Sequence, residues 1–348
     1  MRRSYNPGMP YTPDYPFPKL DYGETLEVAP GIHWVRMPLP FALDHINLWL
    51  LADGDSWTVV DTGYNVDRVR DIWLDVLGKI TGGASVDRVV CTHFHPDHLG
   101  LAGWFVEKFG ASLWMTYGEW LQGHVAVSET VTHDFGRWVE FYRDNGAPPA
   151  MTDGFKDVRA AFRDPWYRLP ETLRRIQDNE EFIIGGRTWQ VITGGGHSHE
   201  HASLWCPELN VLISGDQILP RISSNISLWY TEPEGDPLRH YFDSFEKFRH
   251  LPEDVLVLPS HDYPFRGMHG RLDDLRAHHD SRLDAAFEFC ADPQTATDVI
   301  PSLFSREIGA FEFSFALGET LAHLNYLVSE GMLERNLDDD GLIRYRRS

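Results

Sequence analysis

Thr92-His93-Phe94-His95-Pro96-Asp97-His98 places three imidazoles and a carboxylate within six consecutive residues. The cluster directly follows the apolar run Val86–Cys91, so if that run is a strand, the cluster occupies its C-terminal end. Extended residues alternate faces, which points His93 and His95 the same way. Asp97 and His98 lie where the chain turns into the helical pattern Leu99–Phe109. Pro96 is expected to keep the loop from continuing as strand or helix. Two ligand pairs aimed at neighbouring points suit two divalent ions better than one. Zinc, iron and manganese all accept imidazole and carboxylate. Burying this cluster without a cation would be costly.

The surrounding chain repeats the arrangement. Glu24–Ala29 and Ile32–Met37 read as strands around Pro30-Gly31. His45–Ala52 and Ser56–Asp61 read as a hairpin joined by Asp53-Gly54-Asp55. The last of these ends in Asp61-Thr62-Gly63. Asp61 is expected to accept a hydrogen bond from a metal-bound imidazole; the alternative is an N-cap for the helix that follows. Val66–Ile80 has apolar residues at helical spacing, and a strand is expected at Ala111–Met115 after the Leu99–Phe109 helix. Strands resume at Glu180–Ile184 and Arg187–Thr193, ahead of Gly194-Gly195-Gly196-His197-Ser198-His199-Glu200-His201. The glycines allow a sharp turn and a close approach to a ligand. His197 is the preferred third ligand, with His199 and His201 weaker on spacing. The hairpin Leu204–Cys206 and Val211–Ser214 ends in Asp216, and Val255–Pro259 ends in His261. Acids and histidines thus collect where apolar strands stop. Antiparallel hairpins followed by helix–strand units imply a mixed sheet with helices on its faces.

Composition narrows the function. With 31 basic against 52 acidic residues, the net charge is −21, which disfavours nucleic acid and acidic membranes as partners. No apolar run is long enough for a membrane span. Met1–Lys19, rich in Pro and Tyr, lacks the apolar core of a secretory signal and is expected to lie as an arm on the surface. Cys91, Cys206 and Cys290 are odd in number and widely spaced, which suggests free thiols in a reducing, cytoplasmic compartment. Tyr117–Asn179 is too long for a plain connection and reads as a helical insertion. Its aromatics, among them Trp138, Phe141, Tyr142, Phe155 and Trp166, either wall a substrate pocket as a lid or pack the insertion down. His124 and His133 within it are expected to be structural. Arg221 and Asn225 are candidate substrate contacts.

In these motifs the chain resembles the metallo-β-lactamase-fold hydrolase superfamily over about Glu24–Phe265. The His-x-His-x-Asp-His motif is intact, and Asp61, His197, Asp216 and His261 occupy the remaining motif positions in order. The resemblance implies a four-layer αββα sandwich. It also implies that His93, His95 and His197 hold one metal and Asp97, His98 and His261 another, with Asp216 bridging. Zinc is the first expectation, with iron or manganese as alternatives. The complete set resembles glyoxalase II and ribonuclease Z more than the lactamases, and His95 stands where flavodiiron proteins place an acid. Asp97 and Asp61 are the expected catalytic carboxylates, Asp97 by orienting a metal-bridging hydroxide. The expected substrate is a small ester, thioester or lactone. The alternatives are phosphodiester cleavage in RNA, a mononuclear iron dioxygenase of the persulfide type using His93, His197 and Asp216, and a non-catalytic regulator.

The tail narrows the likeness. Arg282–Cys290, Ala296–Phe304 and Leu317–Glu330 read as helices, and Leu333–Arg335 and Leu342–Tyr345 as a hairpin around Asp338-Asp339-Asp340-Gly341. Helices followed by a hairpin resemble the winged helix of superfamily endoribonucleases similar to β-lactamase-like protein 2. From Arg271 onward, however, 8 basic face 15 acidic residues. A packing or homodimer role is therefore expected before nucleic-acid binding. The expected organisation is an arm at 1–23, a hydrolase domain at 24–270 with its helical insertion, and a small winged-helix-like domain at 271–348.

Overall fold

The structure is a computed structural model that describes residues 11–128, 135–153, 166–305 and 308–348. Its first sheet orders β1 (Thr25–Ala29), β2 (Ile32–Pro38), β3 (His45–Asp53), β4 (Ser56–Val60), β5 (Ser85–Val90), β6 (Ser112–Met115) and β7 (Arg174–Arg175) side by side. Strands β1 to β4 pair antiparallel, and β4 to β7 run parallel. The second sheet orders β8 (Glu181–Ile184), β9 (Arg187–Gly194), β10 (His201–Cys206), β11 (Val211–Gly215) and β12 (Leu256–Pro259). Only β11 and β12 pair parallel there.

The first helices are α1 (Asp67–Ile80), α2 (Pro96–Leu99), α3 (Ala102–Phe109) and α4 (Tyr117–Val127). They are followed by α5 (Phe135–Asp144), α6 (Pro149–Thr152), α7 (Pro237–Phe248), α8 (Met268–Phe289), α9 (Ala296–Leu303) and α10 (Ala310–Ser329). A hairpin of β13 (Leu333–Leu337) and β14 (Ile343–Arg347) ends the chain.

Strand alternation divides the apolar residues into three cores. Trp49 and Leu51 of β3, Val60 of β4, Val90 of β5, Leu204 of β10, Ile213 of β11 and Leu258 of β12 meet between the sheets. Leu48, Leu50, Val59 and Val89 point the other way, against Val69, Trp73 and Phe105 of α1 and α3. Ile192, Leu212 and Val257 face outward from the second sheet onto α7, α8 and α10. The result is the expected αββα sandwich. It explains why the central strands read as unbroken apolar runs: both of their faces are covered. Each fully buried Val, Leu or Ile contributes about 1.5–3 kcal/mol, so a one-residue slip in a central strand is strongly opposed.

Several boundaries differ from the sequence reading. Helix α8 starts at Met268, fourteen residues before Arg282, and α10 starts at Ala310 rather than Leu317. Their apolar faces join the core over the second sheet, together with Leu333 and Tyr345, so that core runs on into the C-terminal helices and hairpin. The helix expected from Leu99 begins earlier and is broken: Pro96 opens the short α2, and α3 restarts after Leu101. Pro96 therefore starts a helix instead of preventing one, because the first helical position needs no N–H donor. The Tyr117–Asn179 segment is not wholly helical, since β7 returns to pair with β6 at the sheet edge.

Within that segment, Trp138 and Tyr142 are buried in the outer core of the second sheet, with Phe141 packed on it. The Tyr142 hydroxyl reaches Ser314 O at 3.4 Å. Trp166 packs on the other outer core; Phe155 and His133 lie outside the described residues. These contacts are those of packing residues rather than of a free lid. Accordingly, Trp138→Ala is expected to lower stability by about 3–5 kcal/mol in denaturant unfolding, with relative rates over an ester panel unchanged. A changed ranking at unaltered stability would restore the lid.

Candidate metal centre

Parallel pairing of β4, β5 and β6, and of β11 and β12, sends their C-terminal ends to one edge. Strand β9 is antiparallel to β10 and β10 to β11, so β9 ends at that edge as well. This topology gathers Asp61, residues 92–98, His197, Asp216 and His261, which are far apart in sequence.

Two groups of ligand atoms result. His93, His95, His197 and Asp216 form one; Asp97, His98 and His261 form the other, and within each group the atoms lie within 4.8 Å of one another. His93 Nε2 stands 2.9 Å from His95 Nδ1 and 3.2 Å from His197 Nε2. Asp216 lies between the groups. Its Oδ2 is 3.4 Å from His197 Nε2, and its Oδ1 is 3.4 Å from His261 Nε2 and 3.6 Å from His98 Nε2. Asp97 Oδ2 is 3.6 Å from His261 Nε2 and 3.8 Å from His98 Nε2.

Each outward nitrogen is set by its other ring nitrogen. His98 Nδ1 donates to Asp61 Oδ2 at 2.8 Å, His197 Nδ1 to Asn225 O at 2.9 Å, and His261 Nδ1 to His45 O at 2.9 Å. These bonds fix the ring orientations and aim the Nε2 atoms toward one another. Asp61 stands in the left-handed region, with φ of 59°, which Asp tolerates better than most residues. Its carboxylate also receives Thr92 N at 2.8 Å and Thr92 Oγ1 at 2.9 Å. The N-cap alternative fails: α1 is preceded by Val66 at its N-cap position.

The electrostatics suit a cation. Burial holds the His93 and His95 pKa values well below the usual histidine range, and neighbouring imidazoles add to it, so both rings are neutral with lone pairs available. Burial also opposes charge on His98, but Asp61, Asp97 and Asp216 outweigh it and hold its pKa well above the usual value. His261 is raised despite burial, chiefly by Asp216. Burial works against the Asp216 carboxylate, yet His261 and His98 carry its pKa well below the usual range. Among the described residues, His98 Nε2 and Asp216 Oδ1 are buried with no hydrogen-bond partner. A buried orphan pair of this kind is what a bound cation satisfies, so the donor set fits divalent ions.

Residues 42–261 match the family described as the Metallo-beta-lactamase superfamily. The chain belongs to that superfamily. It is a metal-dependent hydrolase of the superfamily, and residues 283–348 match the domain described as Metallo-beta-lactamase-like, C-terminal domain. A beta-lactamase domain protein from Burkholderia ambifaria has a similar structure, with a TM-score of 0.88 and 43% identity over 97% of this chain and 98% of that one. The probable metallo-hydrolase YqjP of Bacillus subtilis is 24% identical, over 85% of this chain and 92% of that protein. A beta-lactamase-like protein 2 homolog of Caenorhabditis elegans is 22% identical over 85% and 83%. The superfamily implies divalent metal ions at the gathered histidines and acids.

The structure also places the remaining candidates in this superfamily member. His201 lies against the site, where its Nε2 accepts from Asp216 N at 3.1 Å; burial lowers its pKa to about 3. His199 is exposed. The glycines before His197 approach protein rather than ligand. A Cβ on Gly194 would lie 2.4 Å from the Gln217 carboxamide, and one on Gly196 would lie 2.5 Å from Tyr241. Asn225, a candidate substrate contact, instead orients His197 through its carbonyl. Arg221 lies near the site with 69% of its side chain exposed, and its Nε is 3.8 Å from Asp262. His124 is structural, bonded to Trp120 O. Sequence reasoning missed Thr92, the carbonyls of His45 and Asn225, and Glu119. Backbone carbonyls carry no residue signature, so only the long-range contacts reveal them.

Proposed function

We propose that the chain is a binuclear hydrolase of a small ester, thioester or lactone, with zinc as the first ion to test. The observation that carries the binuclear reading is Asp216, whose two oxygens face different ligand groups. In this reading His93, His95 and His197 hold one ion, Asp97, His98 and His261 the other, and Asp216 both. Divalent ions bound there supply Lewis acidity and bring the pKa of water toward neutrality. The side chains do the rest. Asp61 holds His98 in the ligating tautomer, and Asp97, whose Oδ2 faces the second group, receives or orients a proton beside the reacting centre. The orphaned pair across the groups gives the cations fixed partners, which preorganises the site for charge that develops on a substrate oxygen.

Charge supports a small organic substrate over a polyanion. Three of the four basic residues of the terminal hairpin are engaged in ion pairs: Arg344 with Asp338 and Asp340, Arg346 with Glu334, and Arg347 with Glu288. That leaves little free positive potential there for phosphates. A single-iron oxygenase would leave His98 and His261 without a role. No helix of the described residues is long and apolar enough to cross a membrane.

Elemental analysis of protein purified without chelator is expected to give two ions per chain. A screen of esters, thioesters, lactones and phosphodiesters is expected to rank the first three above the last. Stoichiometry that stays at one after metal addition would overturn the binuclear reading, and phosphodiester preference would overturn the substrate class.

A further inference from the structure

The two ligand loops of the first group come from different sheets. Residues 92–98 follow β5, and residues 195–200 join β9 to β10. At their bases they share one backbone bond, Ala202 N to Thr92 O at 2.8 Å, which does not by itself tie the ligand-bearing residues to one another at the separation a shared ion requires. Helix α4 does so, and it lies at the start of the segment that the sequence marks as a helical insertion. Glu119, fully buried on its first turn, accepts Phe94 N on Oε2 at 3.0 Å and Glu200 N on Oε1 at 2.6 Å. Phe94 stands between His93 and His95, and Glu200 is three residues past His197. One carboxylate therefore spans both loops, one oxygen to each.

The contact is reciprocal. Glu200 Oε2 accepts Gly118 N at 2.7 Å, and Glu200 O accepts Thr116 Oγ1 at 2.8 Å. Close approach depends on two missing side chains. A Cβ on Gly118 would stand 2.9 Å from Glu200 Oε2, and one on Gly123 would stand 2.9 Å from Leu99 Cδ2 and 3.8 Å from Phe94 Cβ. Burying a carboxylate with no cation on it is costly unless strong donors meet it. Among the described residues Phe94 N, Glu200 N and the Ser198 hydroxyl, all from the two ligand loops, face its carboxylate, so the cost of burial is offset by donors that fix the loop spacing.

We infer that Glu119 is a positioning residue that sets the distance between the His93–His95 pair and His197, and through it the affinity of the first ligand group for a divalent ion. This rests on the metal reading above, and the test separates the two. Glu119→Ala and Glu119→Gln are prepared in the full chain, and amide hydrogen exchange is followed in the metal-free proteins. Glu119→Ala is expected to speed exchange in peptides covering 92–98 and 197–201 while peptides covering 216–222 and 261–266 hold their rates. Glu119→Gln, which keeps one acceptor oxygen, is expected to loosen one loop and spare the other. Cobalt(II) is then titrated against a competing chelator in two backgrounds: His261→Ala, which leaves the first group complete, and His197→Ala, which leaves the second. Glu119→Ala is expected to weaken cobalt by about tenfold or more in the first background and by less than about threefold in the second, in line with the cost of losing an outer partner. Unchanged exchange in both loops, or equal weakening of both groups, would overturn the positioning role. A wild-type chain that takes up no cobalt would overturn the metal reading, while the exchange rates still decide the role of Glu119.

Discussion

Asp216→Ala is expected to strip both ligand groups and to cost far more activity than any other single change at the site. Its Oδ2 faces His197 and its Oδ1 faces His98 and His261, and among the described residues no other carboxylate near it serves both sides. Asp97 approaches only the second group. Losing an outer hydrogen-bond partner of a ligand costs roughly 10–100-fold in affinity or activity; losing the shared carboxylate itself is expected to exceed that range. His261→Ala is the comparison, since it removes one donor from the second group and leaves the first complete. Metal content by elemental analysis and turnover on the best ester of the panel are read side by side. Two ions and full turnover in Asp216→Ala would remove the bridging assignment.

Asp61→Asn should produce the second largest loss, through a proton rather than through a ligand. The substitution keeps the shape, and Asn accepts the left-handed backbone that Asp61 adopts at φ of 59°. The amide oxygen still receives Thr92 N, which leaves the NH2 toward Thr92 Oγ1 and His98 Nδ1. An NH2 donates to Nδ1, and that moves the imidazole proton to Nε2, the atom facing Asp97 and Asp216. A protonated Nε2 is no ligand. The second group is expected to lose roughly 10–100-fold in metal affinity, with the first group retained and melting temperature little changed. Cobalt titration in the His197→Ala background reads this directly. Equal affinity in wild type and Asp61→Asn would show that Asp61 plays no part in the choice of tautomer.

Much of this site was written in the residues themselves. Imidazoles and acids at apolar strand ends announce metal chemistry wherever they fold, because ligand type is a property of the side chain. Val86–Cys91, Val211–Ser214 and Val255–Pro259 read as buried strands because each presents apolar residues to both faces. The tertiary structure alone decided what rests on contacts distant in sequence. It brought His197, and neither His199 nor His201, to the nitrogens of His93 and His95. It put Asp61 beneath His98, 37 residues away, instead of at a helix start. It turned Trp138 and Tyr142 into the core over the second sheet. Glu119 shows the limit most clearly. On a helix it reads as one more surface acid, and only the meeting of two loops from two sheets makes it the carboxylate that joins them. Side-chain chemistry and strand periodicity are local and so are legible in the chain, whereas a hydrogen bond to a backbone amide some 80 residues away is fixed by how the two sheets pack.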